Sequence, residues 1–163
     1  MTQAAKHERD GLAPSNRPEL NEQAEPFAMA ARRALRTSNA TRFLGFALES
    51  INKGHVVLRL NAGTRHTQLH GVVHGGILAA LADTAGAMAT YTMVPKGTAI
   101  ATIEMKINYL EPVRAGRVRA EATVLRAGRN FVVSECEILG PAGKLAAKAL
   151  ITYGAAGGHS MAR

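Results

Sequence analysis

Between Arg65 and Lys96 the chain carries one charged side chain, Asp83. It sits inside a long apolar stretch, residues 72–94, with the pattern of a helix. Asp is a poor residue for a helix interior, because its short polar side chain competes for nearby backbone groups. Three and four positions before it stand Ala80 and Ala79; four after it stands Ala87, and one further turn back Gly76. On a helix these positions are neighbours on one face. Asp83 therefore lies on a stripe of very small residues, which leaves room for a ligand or another backbone. Leu78, Leu81, Ala85 and Met88 form a second stripe suited to core packing. Two readings of Asp83 follow. It is a satisfied structural carboxylate, or it is a carboxylate in an apolar cleft, where desolvation raises its pKa and fits it for base or nucleophile work. Composition alone leaves both open.

The second chemical feature is upstream, where residues 68–76 read Gln-Leu-His-Gly-Val-Val-His-Gly-Gly. The first N–H groups of a helix have no intrahelical acceptor, and the helix dipole adds positive charge there. A glycine-opened helix start can bind an oxyanion or a phosphate. In acyl transfer one such donor contributes about 2.7–4 kcal/mol to the transition state. The plainer alternative is a Gly-rich turn needed only for tight packing. His66, His70 and His74 recur every four residues, which on a helix would suggest metal ligands. They fall in a loop leading to Gly71, where no such stripe exists, so no metal site is expected. The lone Cys136 falls mid-strand and reads as core, and no Ser nucleophile elbow or Cys–His pair is suggested.

These groups need a scaffold. Residues 26–36 read as a short helix with Pro26 at its start. Residues 42–51 alternate through Leu44, Phe46 and Leu48, then Asn52-Lys53-Gly54 signals a turn, and residues 55–61 alternate again. That pair reads as a hairpin. Residues 62–71 are loop-like. Beyond Pro95 the period is two: Ile103, Met105, Ile107 and Tyr109 share one strand face, with Thr102, Glu104, Lys106 and Asn108 on the other. Three more strands follow at 117–126, 130–139 and 144–153. The order is helix, two strands, long helix, four strands. Short turns between alternating strands imply an α+β fold, an antiparallel sheet with one face covered by the single apolar helix.

Bulk properties narrow the function classes. The 163 residues suit one domain, expected over 26–154, with polar or Gly-rich tails at 1–25 and 155–163. Residues 1–25 hold three basic and five acidic groups; the remainder holds seventeen basic and seven acidic. The folded part is thus basic, as a partner of a polyanionic ligand would be. The basic residues are scattered, aromatics are few, and no nucleic-acid-binding motif is visible, so no nucleic acid is expected. Asp83, His74 and several Thr interrupt the apolar stretch, which argues for a buried helix and no membrane partner. A single Cys and the lack of an apolar leader point to a cytoplasmic setting.

His74-Gly75-Gly76, the Ala/Leu-rich helix and Asp83 nine residues after the His resemble the hotdog thioesterases of the phenylacetate-degradation (PaaI-like) and 4-hydroxybenzoyl-CoA type. Gln68 stands where that family carries an amide, and Gly71 matches its following glycine. Residues 103–110 are similar to its next strand and residues 126–129 to its later hairpin. The resemblance covers roughly residues 40–154. It implies a hotdog fold, with the sheet wrapped around one long central helix, and hydrolysis of an aryl- or short/medium-chain acyl-CoA. It further implies roles. Asp83 is nucleophile or general base, the Gly75 N–H polarises the thioester carbonyl, and His74 orients the loop or carbonyl. Gln68 positions the thioester or water, and Thr102 holds the water. The site forms between two subunits, and dimers pair into tetramers. No cofactor is implied, since coenzyme A belongs to the substrate. Arg65, Lys96, Arg126 and Arg129 are candidates for its phosphates. A non-catalytic acyl-CoA-binding module and a hotdog hydratase or dehydratase are the competing functions.

Overall fold

Ten segments follow one another along the described part of the chain. The computed structural model describes residues 25–156. The tails expected over 1–25 and 155–163 lie outside the described residues, except for Glu25, Ala155 and Ala156. Helices α1 (Glu25–Thr37) and α2 (Asn39–Leu44) precede strands β1 (Phe46–Asn52) and β2 (His55–Ala62). A 3-10 turn (Thr64–His66) leads towards α3 (Gly75–Tyr91). Strands β3 (Ala99–Tyr109), β4 (Gly116–Ala127), β5 (Phe131–Leu139) and β6 (Leu145–Ala156) follow. The six strands form one antiparallel sheet in the order β1-β2-β4-β5-β6-β3.

The sheet is wrapped around α3, as expected. Leu78, Leu81, Ala82, Ala85, Met88 and Ala89 of α3 are buried. They meet a strand face whose inward positions include Leu58, Leu60, Ala120, Ala122, Ala147 and Ala149, all buried. Alanines on both partners let the helix approach the sheet closely, which is how a core with four Phe and no Trp is filled. Each fully buried Leu or Ile contributes roughly 1.5–3 kcal/mol. Among the described residues no helix is long and apolar enough to cross a membrane.

The structure corrects the expected elements at three points. Leu44 is the last residue of α2, not part of β1. Its alternation with Phe46 and Leu48 is accidental, and Gly45 in the left-handed region (φ 77°) ends the helix by capping the Thr41 and Arg42 carbonyls. The long helix starts only at Gly75, with Val72 and Val73 in the preceding loop. The third correction matters most. A bulge between Thr102 and Glu104 reverses the phase of β3. Thr102 pairs with the buried Tyr153, and Met105 with the buried Ile151. Thr102 thus shares the helix-facing side with Met105, Ile107 and Tyr109, while Ile103 is turned outwards and packs beside Gly154.

Gly86 marks the tightest helix–sheet contact. A Cβ there would collide with the Tyr153 hydroxyl and press on Ile151 Cδ1 at 3.2 Å. Gly86→Val is expected to destabilise the fold by about 1–3 kcal/mol, because a packed core resists added methyls. A urea unfolding midpoint equal to wild type would refute this packing.

Candidate active site at the start and middle of α3

The first half of the site is the N-terminus of α3. His74 is the N-cap, with extended backbone (φ −62°, ψ 130°), and its Nδ1 accepts the Gly76 N–H at 2.9 Å. Its own N–H donates to the His66 carbonyl at 2.9 Å, which ties the helix start to the preceding turn. Gly76 is therefore satisfied, whereas the Gly75 N–H has no acceptor among the described residues. The Tyr109 hydroxyl donates to the Gly75 carbonyl at 2.9 Å, and its ring lies 3.1 Å from where a Cβ on Gly75 would sit. A side chain at position 75 would press on that ring, and the glycine leaves the N–H open.

Gln68 stands beside this donor. Its carbonyl accepts the Gly71 N–H at 2.9 Å in a turn that the positive φ of Gly71 (70°) permits. Its Oε1 accepts the His70 N–H at 2.8 Å, which leaves the amide NH2 with no described partner. Gln68 and Gly75 together line two adjoining clefts. One is bordered by Thr67, Leu69 and His74. The other, about 320 Å³, is bordered by Leu78, Tyr109 and Leu110.

The second half is Asp83, half-buried on the side of α3 that faces β3 and β6. Thr102 Oγ1 donates to Asp83 Oδ1 at 2.7 Å. The Tyr153 hydroxyl donates to the Asp83 backbone carbonyl at 2.8 Å and lies 3.5 Å from Oδ1. Burial, aided by the Asp83 charge, raises the Tyr153 pKa above its ordinary value, so the phenol remains a donor. Asp83 Oδ2 has no hydrogen-bond partner among the described residues. A carboxylate held by one oxygen and open at the other can take a proton or attack an electrophile.

Some expected residues come together and others do not. Gln68, His74 and Gly75 cluster; Asp83 and Thr102 form a separate pair. Thr102, expected to hold a water, spends its proton on Asp83. Arg65 lies near the helix start, its Nη2 2.9 Å from where a Cβ on Gly45 would sit. Arg126, Arg129 and Lys96 lie in or beside turns at the other end of α3, where Gly54 joins Val124 to Met93. Within one chain Arg65 lies apart from the other three. Cys136 is fully buried and its thiol is pushed up to about 12, first by burial and then by Glu137, in keeping with a core role. His66 is buried too, its ring held by the Gly63 N–H at 2.9 Å and the Leu44 carbonyl at 3.0 Å.

Tyr153 and Tyr109 are the contacts that sequence reasoning missed. The available signal for Tyr153 was its inward parity on the last strand, since a buried phenol needs a partner for its hydroxyl.

Residues 70–147 match the model of the thioesterase superfamily. The proofreading thioesterase EntH of Klebsiella pneumoniae is 32% identical over 104 residues, 64% of this chain and 76% of that protein. The chain belongs to the thioesterase superfamily. The 1,4-dihydroxy-2-naphthoyl-CoA hydrolase of Escherichia coli is 27% identical over 126 residues, 77% of this chain and 93% of that one. The structure of the Escherichia coli PaaI protein, from the phenylacetic acid degradation operon, superposes with a TM-score of 0.75 at 28% identity. That superposition covers 86% of this chain and 98% of PaaI. The fold is the hotdog fold, and the enzyme is a thioester hydrolase.

Proposed function

We propose that the enzyme hydrolyses an aryl- or short/medium-chain acyl-CoA to the free acid and coenzyme A, in a site completed by a second copy of the chain. The observation that carries this reading is the pair of open groups on one helix, the Gly75 N–H and Asp83 Oδ2. They are eight residues apart, so roughly 12 Å along the axis at 1.5 Å per residue. A thioester carbonyl needs its polarising donor and its attacking group within about 3–3.5 Å. One chain cannot supply both to one carbonyl.

The β3 edge supports a partner. β3 ends the sheet and, among the described residues, has one unpaired side over its eleven residues. Ile103, Tyr109 and Leu110 on or beside it are exposed. A long unpaired strand edge is a template for pairing with another chain. Antiparallel pairing of two β3 strands about a two-fold axis sets the two α3 helices side by side in opposite directions. Asp83 of one copy then approaches Gly75 and Gln68 of the other. The exposed Leu125, Phe131 and Leu150 supply apolar surface for pairing such dimers into tetramers.

In the general-base route Asp83 takes a proton from a water, and the water oxygen adds to the thioester carbon. The carbonyl oxygen becomes an oxyanion on the Gly75 N–H. The adduct collapses, the C–S bond breaks, and the departing sulfur takes the proton back from Asp83. In the nucleophilic route Asp83 Oδ2 itself adds, the thiolate leaves, and water opens the resulting anhydride. Thr102 holds Oδ1 in both, and Gln68 positions the thioester or the water.

A panel of acyl-CoA esters assayed for released thiol tests the activity; no thiol from any of them would refute it. Thr102→Val removes one hydrogen bond to a charged group, with a net value of about 1.5–3 kcal/mol. It is expected to lower kcat about tenfold or more with little change in KM. An unchanged kcat would show that the Thr102–Asp83 bond is structural only.

A further inference from the structure

Three features that weaken a fold converge on the Asp83 turn. The first is a buried phenol. Tyr153 on β6 is fully buried, which is unfavourable unless its hydroxyl finds a partner. That hydroxyl donates to the Asp83 carbonyl at 2.8 Å and lies 3.5 Å from Oδ1. A carbonyl inside a helix accepts the N–H four residues on, so the Asp83 carbonyl does not need this second donor. The second feature is Gly86, three residues after Asp83 within α3. Glycine weakens a helix interior relative to alanine. Elsewhere along its interior α3 uses alanine as its small residue, at Ala79, Ala80, Ala82, Ala85, Ala87 and Ala89. A Cβ at position 86 would collide with the Tyr153 hydroxyl, so the glycine makes the seat for it. The third is the β3 bulge, which interrupts the ladder between Thr102 and Glu104.

One cross-strand pair connects the three. Thr102 stands opposite Tyr153 across β3 and β6, and opposite residues of an antiparallel pair present their side chains to the same face. Thr102 Oγ1 donates to Asp83 Oδ1 at 2.7 Å. Both side-chain contacts to the carboxylate thus fall on Oδ1, and none falls on Oδ2 among the described residues. The bond from Thr102 alone leaves the helix turn free to shift against the sheet. The bond from Tyr153 to the backbone of the same residue ties that turn to β6. Core packing alone would be met by a phenylalanine, which fills the same volume and needs neither an acceptor nor a glycine opposite it.

We propose that Tyr153 is a positioning residue for the hydrolysis: seated against Gly86, its hydroxyl fixes the Asp83 turn and so the direction of Oδ2, without touching the substrate. The inference rests on the reading of Asp83 as base or nucleophile given above. It makes the buried phenol, the helix glycine and the bulge parts of one device that aims a single oxygen.

The test is kinetic, on the full chain, with a thioester that the wild type hydrolyses and with enzyme in excess where turnover is slow. Tyr153→Phe is expected to lower kcat about 10- to 100-fold, the span that a small misplacement of a reacting group produces, with KM within about twofold. In the Asp83→Asn background the same substitution is expected to change the residual rate by less than about twofold, because its effect passes through the carboxylate. Gly86→Ala keeps the hydroxyl but displaces it, and should lower kcat as well. Adding Tyr153→Phe to Gly86→Ala removes the collision, so that double variant should be no slower than Tyr153→Phe alone. If Tyr153→Phe keeps the wild-type kcat while Asp83→Asn is inactive, Tyr153 is a core residue only; the positioning role is overturned and the reading of Asp83 stands. A loss of equal size in the wild-type and Asp83→Asn backgrounds would mark a general structural effect and overturn it too. If Asp83→Asn keeps wild-type turnover, the reading of Asp83 falls and takes the positioning role with it.

Discussion

Replacing Asp83 by Asn is expected to lower kcat/KM for an acyl-CoA ester by about 10²–10⁴-fold, the usual span for loss of a positioned acid–base group. The substitution is nearly isosteric. The Asn carbonyl can still accept the Thr102 hydroxyl, now 2.7 Å from Oδ1, and the Tyr153 bond goes to backbone and is untouched. What disappears is the basic and nucleophilic oxygen. The urea midpoint should therefore stay close to wild type while turnover collapses. A variant that unfolds easily but retains turnover per folded molecule would make Asp83 a structural carboxylate, the alternative that composition left open.

Gly75→Pro is expected to lower kcat by about 10²–10³-fold, or about 2.7–4 kcal/mol of transition-state stabilisation. Proline is tolerated at the first position of a helix, where its missing N–H breaks no intrahelical bond. It also requires extended backbone just before it, and His74 has that already (φ −62°, ψ 130°). The substitution thus deletes one donor that binds nothing else in the described residues. Its ring atoms press on Tyr109, as would any Cβ, so Gly75→Ala is the control. Alanine brings the same contact and keeps the N–H. Turnover of the alanine variant well above that of the proline variant assigns the loss to the N–H. Equal turnover in the two would assign it to Tyr109 and remove the oxyanion role.

What the sequence reveals and what it hides divides along physical lines. Asp83 is conspicuous because one charge in an otherwise apolar helix is costly without a purpose, and the helix start is conspicuous because glycines and an N-cap His stand together. Strand order follows from period-two alternation joined by short turns. The phase of β3 does not, since a bulge at residues 102–104 inserts one residue without altering composition. The expected faces place Thr102 opposite Tyr109, whereas the fold puts both against α3. The helix α2 is hidden because Leu44 fits the alternation of the strand after it; Gly45 was the local sign of a helix end. Contacts across long separations leave no local trace. Tyr153 reaches Asp83 from seventy residues away.

The central claim is that Gly75 and Asp83 act on one carbonyl from two different chains. Mixed dimers test it most directly. Asp83→Asn and Gly75→Pro, each carrying its own affinity tag, are co-expressed, and the doubly tagged species is isolated and assayed. In such a hybrid one site joins the intact Gly75 of one chain to the intact Asp83 of the other, and the second site carries both defects. The hybrid should recover about half of wild-type turnover per dimer, although each parent is nearly inactive. A hybrid no more active than its parents would place the whole reaction within a single chain and contradict the account.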